Sequence, residues 1–352
     1  MDEPLQPSRK PLGFWKTVLA TFVGGLTASI VFSVLAFFFL LSLLIGSLLS
    51  QSAPKTIEEN SVLKINLSSI SELVTEDPWS TFLPSRGEGE QSISLTQALA
   101  AIRKAKANDR IRGIYLNLDS YSGGMASTAD LRAALLDFRS SGKFVVAYAD
   151  SYDQKAYYLS SVADQLILNP EGSVGLVGLA SSSLFYHQAL EKLGLKAQVF
   201  KVGTYKGAVE PFILDQLSEP NREQISVYLS GLWDFILREV SASRSIPVDS
   251  LRSFADQGLA FSEAETFVRR RLVDTLAYRL DVEGLIARRA GVSSPKDLHV
   301  VTLADLVNAP DPLDATRKSK EDVVTVVYAE GEIGDNPLSS EGITQELAQR
   351  LR

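Results

Sequence analysis

From Thr17 to Pro54 the chain carries no charged residue, and VFSVLAFFFLLSLLIGSLL (31–49) is almost wholly apolar. About 20 apolar residues cross the hydrocarbon core of a bilayer. A cleavable secretion signal has a shorter apolar core of roughly 7–15 residues and a small-x-small cleavage site. Here the run is too long, and SQSAPK (50–55) is a poor site. The stretch reads as an anchor that stays on the chain. Arg9, Lys10 and Lys16 precede it, and few basic residues follow closely. That asymmetry keeps residues 1–16 cytoplasmic, makes 17–54 a single-pass anchor in the inner (cell) membrane, and exports the remaining ~300 residues.

The exported body differs in charge from the anchor region. The first 54 residues carry +1 of a total of −7, which leaves −8 on the rest. An acidic body without a basic stripe argues against nucleic acid as a partner. The absence of cysteine excludes disulfides, thiolate metal sites and a cysteine nucleophile. With two histidines, His187 and His299, and no carboxylates clustered at ligand spacing, neither a metal nor another cofactor is expected.

Along the body, SVLKINLSSI (61–70) alternates apolar and polar side chains and predicts a strand. A Pro-, Gly- and charge-rich insertion follows at 75–92 and reads as a loop. SLTQALAAIRKAKAND (94–109) predicts a helix capped by Ser94, with Leu95, Leu99 and Ile102 on its inner face. Strands then alternate with helices: IRGIYLNLDS, TADLRAALLDFRSSG, KFVVAYAD, QKAYYLSSVAD and QLILNP. Such alternation implies right-handed β-α-β units and a largely parallel sheet, the α/β class. From 218 to 291 the pattern becomes helical, with Leu229, Leu232, Ile236 and Val240 at helical spacing. Residues 305–322 read as a linker, which closes a first domain at 55–304. After it VVTVVYAEGEI (323–333) reads as another strand like 61–70, and GITQELAQRLR (342–352) echoes SLTQALAAIRK (94–104). Residues 323–352 are therefore expected to begin a second repeat that stops inside its first helix.

Nucleophilic hydrolysis needs a base. His187 sits in an amphipathic helix and reads as structural; His299 has no acid or nucleophile in a matching pattern. A lysine can serve if burial lowers its pKa. In AQVFKVGTYKGAVEPF (197–212) an alternating strand is expected to end at Gly203, and Lys206 then leaves from a turn that Tyr205, Val209 and Phe212 could dry. On spacing alone Lys206 reads as a surface lysine. Gly123-Gly124, after a buried strand, could offer backbone N–H groups to a developing anion or be a tight turn. GSVGLVG (172–178) lacks the Lys-Ser/Thr of a phosphate loop and reads as a turn.

FKVGTYKGAVEPF (200–212), AYYLSSVADQLILNP (156–170) and EGSVGLVGL (171–179), together with the N-terminal anchor, resemble the signal peptide peptidase A family in its long form. These are membrane-anchored serine proteases of the Clp/crotonase fold group, and the resemblance extends over essentially the whole chain. It implies tandem repeats of β-β-α units, a homo-oligomer, peptide substrates such as signal-peptide remnants, and a serine–lysine dyad. Lys206 falls on the family's lysine, and the serine would come from the second repeat. Counting back from Asn169-Pro170 puts Gln154 in the first repeat's serine slot, 52 residues before Lys206. Gln154 has no nucleophilic oxygen, so its replacement is expected to matter little; Ser151, Ser160 and Ser161 are out of register. Gly123-Gly124 falls where active repeats form the oxyanion hole, with Ser122 where a proline is usual. This chain would then hold a base without its nucleophile and be inactive alone. Two other classes compete: a non-catalytic membrane scaffold of the same fold, and a crotonase-like acyl-CoA enzyme, which the exported location disfavours.

Overall fold

The computed structural model describes residues 13–51, 56–72, 92–118 and 122–310. The insertion at 75–91 and residues 311–352, which hold most of the expected linker and the start of the expected second repeat, lie outside the described residues. The N-terminal helix α1 runs over Phe14–Gln51. Within it Phe14–Ser42 forms a 29-residue apolar segment that no other described residues cover. At about 1.5 Å per residue it is long enough to cross a ~30 Å hydrocarbon core. Its Phe, Leu, Ile and Val side chains point outward on every side, which is stable in lipid and costly in water.

The body is built on six parallel strands: β1 (Ser61–Asn66), β4 (Ile111–Asn117), β5 (Phe144–Ala149), β6 (Gln165–Leu168), β7 (Thr275–Leu276) and β8 (Val300–Thr302). Their order across the sheet is β7-β6-β5-β4-β1-β8. A small separate pair joins β2 (Ile70–Ser71) to β3 (Ile93–Ser94). Sheets of this kind are covered on both faces, so their strands are apolar at nearly every position. One face carries Leu63, Ile65, Ile114, Leu116, Val145, Ala147, Leu166 and Leu168 into the main core. The alternate residues Val62, Tyr115, Val146, Tyr148 and Ile167 pack on the other face against Val282, Ile286 and Ala290. Those three belong to α10 (Arg279–Ala290).

The main-core face is covered by α2 (Leu95–Ala107), α3 (Met125–Arg139), α4 (Gln154–Ser160) and α7 (Glu219–Arg244). Ser94 caps α2 as expected: its Oγ accepts from Gln97 N, and Gln97 Oε1 accepts from Ser94 N. The expected face of α2 packs on the core, with small residues at its centre. Ala98, Ala101, Ile102 and Ala105 are buried, while Leu95 and Leu99 lie at the margin. Small side chains let α2 pack closely against α3 and α11 (Leu303–Asn308), so alanine takes the centre and leucine the rim. The first residues assigned to the linker are therefore helical and packed, with Leu303 and Leu306 buried. Lys104 Nζ holds the end of α11 by donating to the carbonyls of Leu306, Val307 and Ala309 at 3.1, 3.1 and 2.6 Å.

Arg132 on α3 is fully buried and ties three helices together. Its guanidinium donates to Tyr158 O and Ser161 Oγ next to α4, and to Glu239 O and Ser243 Oγ on α7. Burial pushes its pKa down, and the neighbouring Glu239 works against that shift. Shorter elements complete the body: α8 (Val248–Asp256), α9 (Ala264–Arg269), and, between β6 and α7, α5 (His187–Lys192) and α6 (Glu210–Ile213).

Candidate functional site

The segment that carries Lys206 is mostly outside the core. The strand expected at 197–203 is not formed with any described residues, and Phe200 and Val202 are 96% and 90% exposed. Alternation makes a strand only where a neighbour supplies the ladder, and β7 and β8 already form the two edges of the sheet.

Beyond Val202 the chain becomes closely specified. Gly203 has φ of +104°, in the region that favours glycine. Gly207 opens a single 3₁₀ turn, and a Cβ there would lie 2.2 Å from Asn221 Nδ2. Glu210 is fully buried. Its carboxylate accepts from Ser218 N at 3.1 Å, Ser218 Oγ at 2.5 Å and Asn221 Nδ2 at 3.0 Å. Burial alone would raise its pKa, but these hydrogen bonds, with Lys201 Nζ 4.0 Å away, hold it below the usual carboxylate range. Ser218 also caps α7. The signature GTYKGAVEPF is thus clamped to the first turn of α7, and Lys206 lies between the positive-φ Gly203 and this clamp.

Lys206 itself is exposed, and its ammonium meets no hydrogen-bond or ion-pair partner among the described residues. The apolar screen expected from Tyr205, Val209 and Phe212 is open, with Tyr205 and Phe212 each about half exposed. Phe212 instead stacks on Tyr186, whose N–H donates to Pro211 O at 2.7 Å. His187 has the structural role expected of it: Nδ1 lies 3.1 Å from Asp215 Oδ1, which joins α5 to the chain after α6. His299 lies at the edge of the sheet, where its carbonyl accepts from Val62 N.

Gln154 begins α4, where Asp153 caps the helix. It is not idle: Oε1 accepts from Val177 N at 3.2 Å and Gly178 N at 2.9 Å. The serines near it are engaged elsewhere. Ser151 Oγ accepts from Ser173 N, and Ser160 and Ser161 are buried with hydroxyls turned to carbonyls of their own helix. Gly124 is the N-terminal flank of α3, and Lys155 Nζ donates to Gly123 O at 2.9 Å. The turn therefore engages a cation through its carbonyl.

Sequence reasoning missed a polar cluster at the carboxyl ends of the strands. Arg279, at the start of α10, donates to Asp150 Oδ2 at 2.7 Å and stacks over Tyr148. Tyr148 Oη and Asn169 Nδ2 both donate to Asp150 Oδ1. The bonds from Tyr148 and Arg279 lower the Asp150 pKa, while burial raises that of Tyr148. The available signal was that β4 ends in Asn117 while Asp150 and Asn169 directly follow β5 and β6, at the strand ends where α/β sheets bind their ligands. A cavity of about 550 Å³ beside β7 and α10 is lined by Leu276, Tyr278, Asp281, Leu285 and Arg288 and includes neither Lys206 nor Gln154. Among the described residues no group of three or more His, Asp or Glu side chains is placed to hold a metal ion.

Comparison with known proteins gives a consistent result. The profile described as peptidase family S49 matches residues 137–293. Protease 4 of Salmonella typhi is 36% identical over 255 residues, 70% of this chain and 40% of the relative. The chloroplastic serine protease SPPA of Arabidopsis thaliana is 29% identical over 266 residues, 74% of this chain and 39% of the relative. The chain thus spans about two fifths of the length of these curated relatives. Among solved structures, a membrane-bound stomatin-specific protease in complex with a substrate peptide aligns over 73% of this chain and 96% of its own, with 12% identity and a TM-score of 0.37.

Proposed function

The chain carries a peptidase family S49 domain at residues 137–293, and on that premise we propose that it is the lysine-bearing part of a membrane-anchored serine endopeptidase. Lys206 is its general base, and the nucleophile is a serine of a second repeat, for which 323–352 is the beginning. The observation that carries this reading is the clamp around Lys206. Gly203, Gly207 and Glu210 fix the backbone on both sides of a lysine whose side chain has no partner among the described residues. In the reaction, neutral Lys206 Nζ takes the proton from the serine hydroxyl as the oxygen attacks the peptide carbonyl. The resulting ammonium protonates the departing amine, and water then releases the acyl group by the same route.

The substrates are peptides, signal-peptide remnants among them, presented at the outer face of the inner membrane. The N-terminus is cytoplasmic, and a reporter fused after residue 60 that stays active in the cytoplasm would contradict this orientation. A non-catalytic scaffold is the second reading, favoured by Gln154 in the nucleophile slot and by the exposure of Lys206.

The deciding experiment is hydrolysis of a fluorogenic peptide by a chain containing both repeats. Lys206→Ala is expected to lower turnover about 10²–10⁴-fold, the usual contribution of a general base, with an unchanged thermal melt. Lys206→Arg should fail equally, because a guanidinium does not deprotonate near neutrality. Normal turnover by Lys206→Ala refutes the dyad.

A further inference from the structure

The cavity of about 550 Å³ beside β7 and α10 has the size of a small-ligand site and includes no residue of the proposed dyad. Pro170, Leu276, Tyr278, Leu285 and Pro295 give it an apolar lining, and Leu280, 93% exposed, borders it. Gly284 of α10 is part of the same wall. A glycine inside a helix weakens it, because it brings backbone freedom and no side-chain contact. Gly284 has neither a positive φ nor a crowding neighbour that would require it. A Cβ there would meet Arg288 Nη1 at 3.8 Å and Pro295 Cγ at 4.0 Å, which are ordinary contacts. What the missing side chain leaves is space in the cavity.

Two side chains of opposite charge share this wall, Asp281 in the first turn of α10 and Arg288 in the last. The other arginines of the helix are engaged: Arg279 donates to Asp150, and Arg289 stacks over Phe144. The Asp281 and Arg288 side chains have no hydrogen-bond or ion-pair partner among the described residues, each other included. They stand about two helical turns apart, or about 10 Å along the axis. An extended peptide advances about 3.3–3.6 Å per residue, so about three residues hold a free ammonium and a free carboxylate at that separation. We propose that this cavity binds an apolar peptide of about three residues with both termini free. Its ammonium meets Asp281, its carboxylate meets the Arg288 guanidinium, and its side chains lie against Leu276 and Leu285. Gly284 is between the two charges, where the middle residue of the peptide passes. A guanidinium can hold a carboxylate through two parallel N–H bonds, which makes Arg288 the discriminating group. Short peptides with free ends are what hydrolysis of longer chains releases. That origin of the ligand rests on the peptidase reading; the binding itself does not.

The test is isothermal titration calorimetry of the full 352-residue chain in detergent micelles with the tripeptide Leu-Ala-Leu, empty micelles serving as the control. The free tripeptide is expected to bind about tenfold more tightly than its N-acetylated or C-amidated form, each of which lacks one charge. Arg288→Gln should weaken the free tripeptide about tenfold and bind the acid and the amide alike, and Asp281→Asn should bind the free and acetylated forms alike. Gly284→Leu fills the cavity and should abolish binding. Its thermal melt should be no lower than the parent's, because the glycine it replaces is the weaker helix former. Equal binding of the free, acetylated and amidated tripeptides by the parent chain overturns the proposal. So does binding retained by Gly284→Leu, or no binding at millimolar tripeptide. Lys206→Ala should bind as the parent does, and no readout involves turnover, so failure of the dyad and failure of this site are told apart.

Discussion

The sheet with its helices and the arm at 177–217 are built on opposite terms. In the sheet, side chains such as Leu63, Tyr148 and Leu166 are wholly enclosed, and even a cation, Arg132, is buried with every partner in place. In the arm, Leu184, Leu193, Phe200 and Val202 face solvent, and order comes from a few polar fastenings: Gln154 where the arm leaves and Glu210 where it returns. Packing protects the first region everywhere at once. The second depends on a handful of hydrogen bonds, each worth about 1 kcal/mol net. A segment held this way leaves Lys206 accessible, at the cost of being easily displaced. Low-stability segments of this kind are where binding loops and moving elements are found.

The largest expected effect tests the sheet side of the contrast. Arg132→Met leaves the Tyr158 and Glu239 carbonyls and the Glu239 carboxylate without their donor. The Glu239 carboxylate is 41% exposed and can be hydrated, but each buried acceptor left unpaired costs about 1–3 kcal/mol, which denaturant melts will read directly. A loss under 1 kcal/mol would mean that the three helices hold together without this cation.

Glu210→Gln should act mainly within the arm. It removes the charge that receives three bonds, so proteolysis or hydrogen exchange across 203–217 should increase while the main melt moves by about 1 kcal/mol or less. The parent chain should show the same loosening in acid. Because the folded pKa of Glu210 is depressed, its contribution is complete above the ordinary glutamate range, ~4.3, and is lost as pH falls below that range through the folded value. Arm exchange that does not change with pH there would show that the clamp is not ionic.

The smallest effect is expected from Phe200→Ser. A side chain 96% exposed contributes little to folding, so stability should stay within about 0.5 kcal/mol. A loss of 2 kcal/mol or more would show that the arm is covered in solution, and the contrast would then describe an unassembled chain.

Much of the fold was legible in the residues alone, because its signals are local. An uncharged run from Thr17 to Pro54 can only be comfortable in lipid, and apolar runs separated by amphipathic helices make a covered parallel sheet. Ser94 declared the start of α2, since an N-cap acts on the first turn that follows it. The lysine in GTYKGAVEPF could be singled out by resemblance, but not the reason its neighbours are what they are. That reason is tertiary: Gly207 is small because Asn221 approaches it, and Glu210 is ionised and buried because α7 brings Ser218 and Asn221 to it. The same holds where expectation and structure part. Residues 197–203 have the alternation of a strand but no partner strand among the described residues, and Gln154 has an acceptor role because the chain 23 residues later returns to meet it. Periodicity and capping are written in consecutive residues; the identity of a distant partner is set only when the chain has folded.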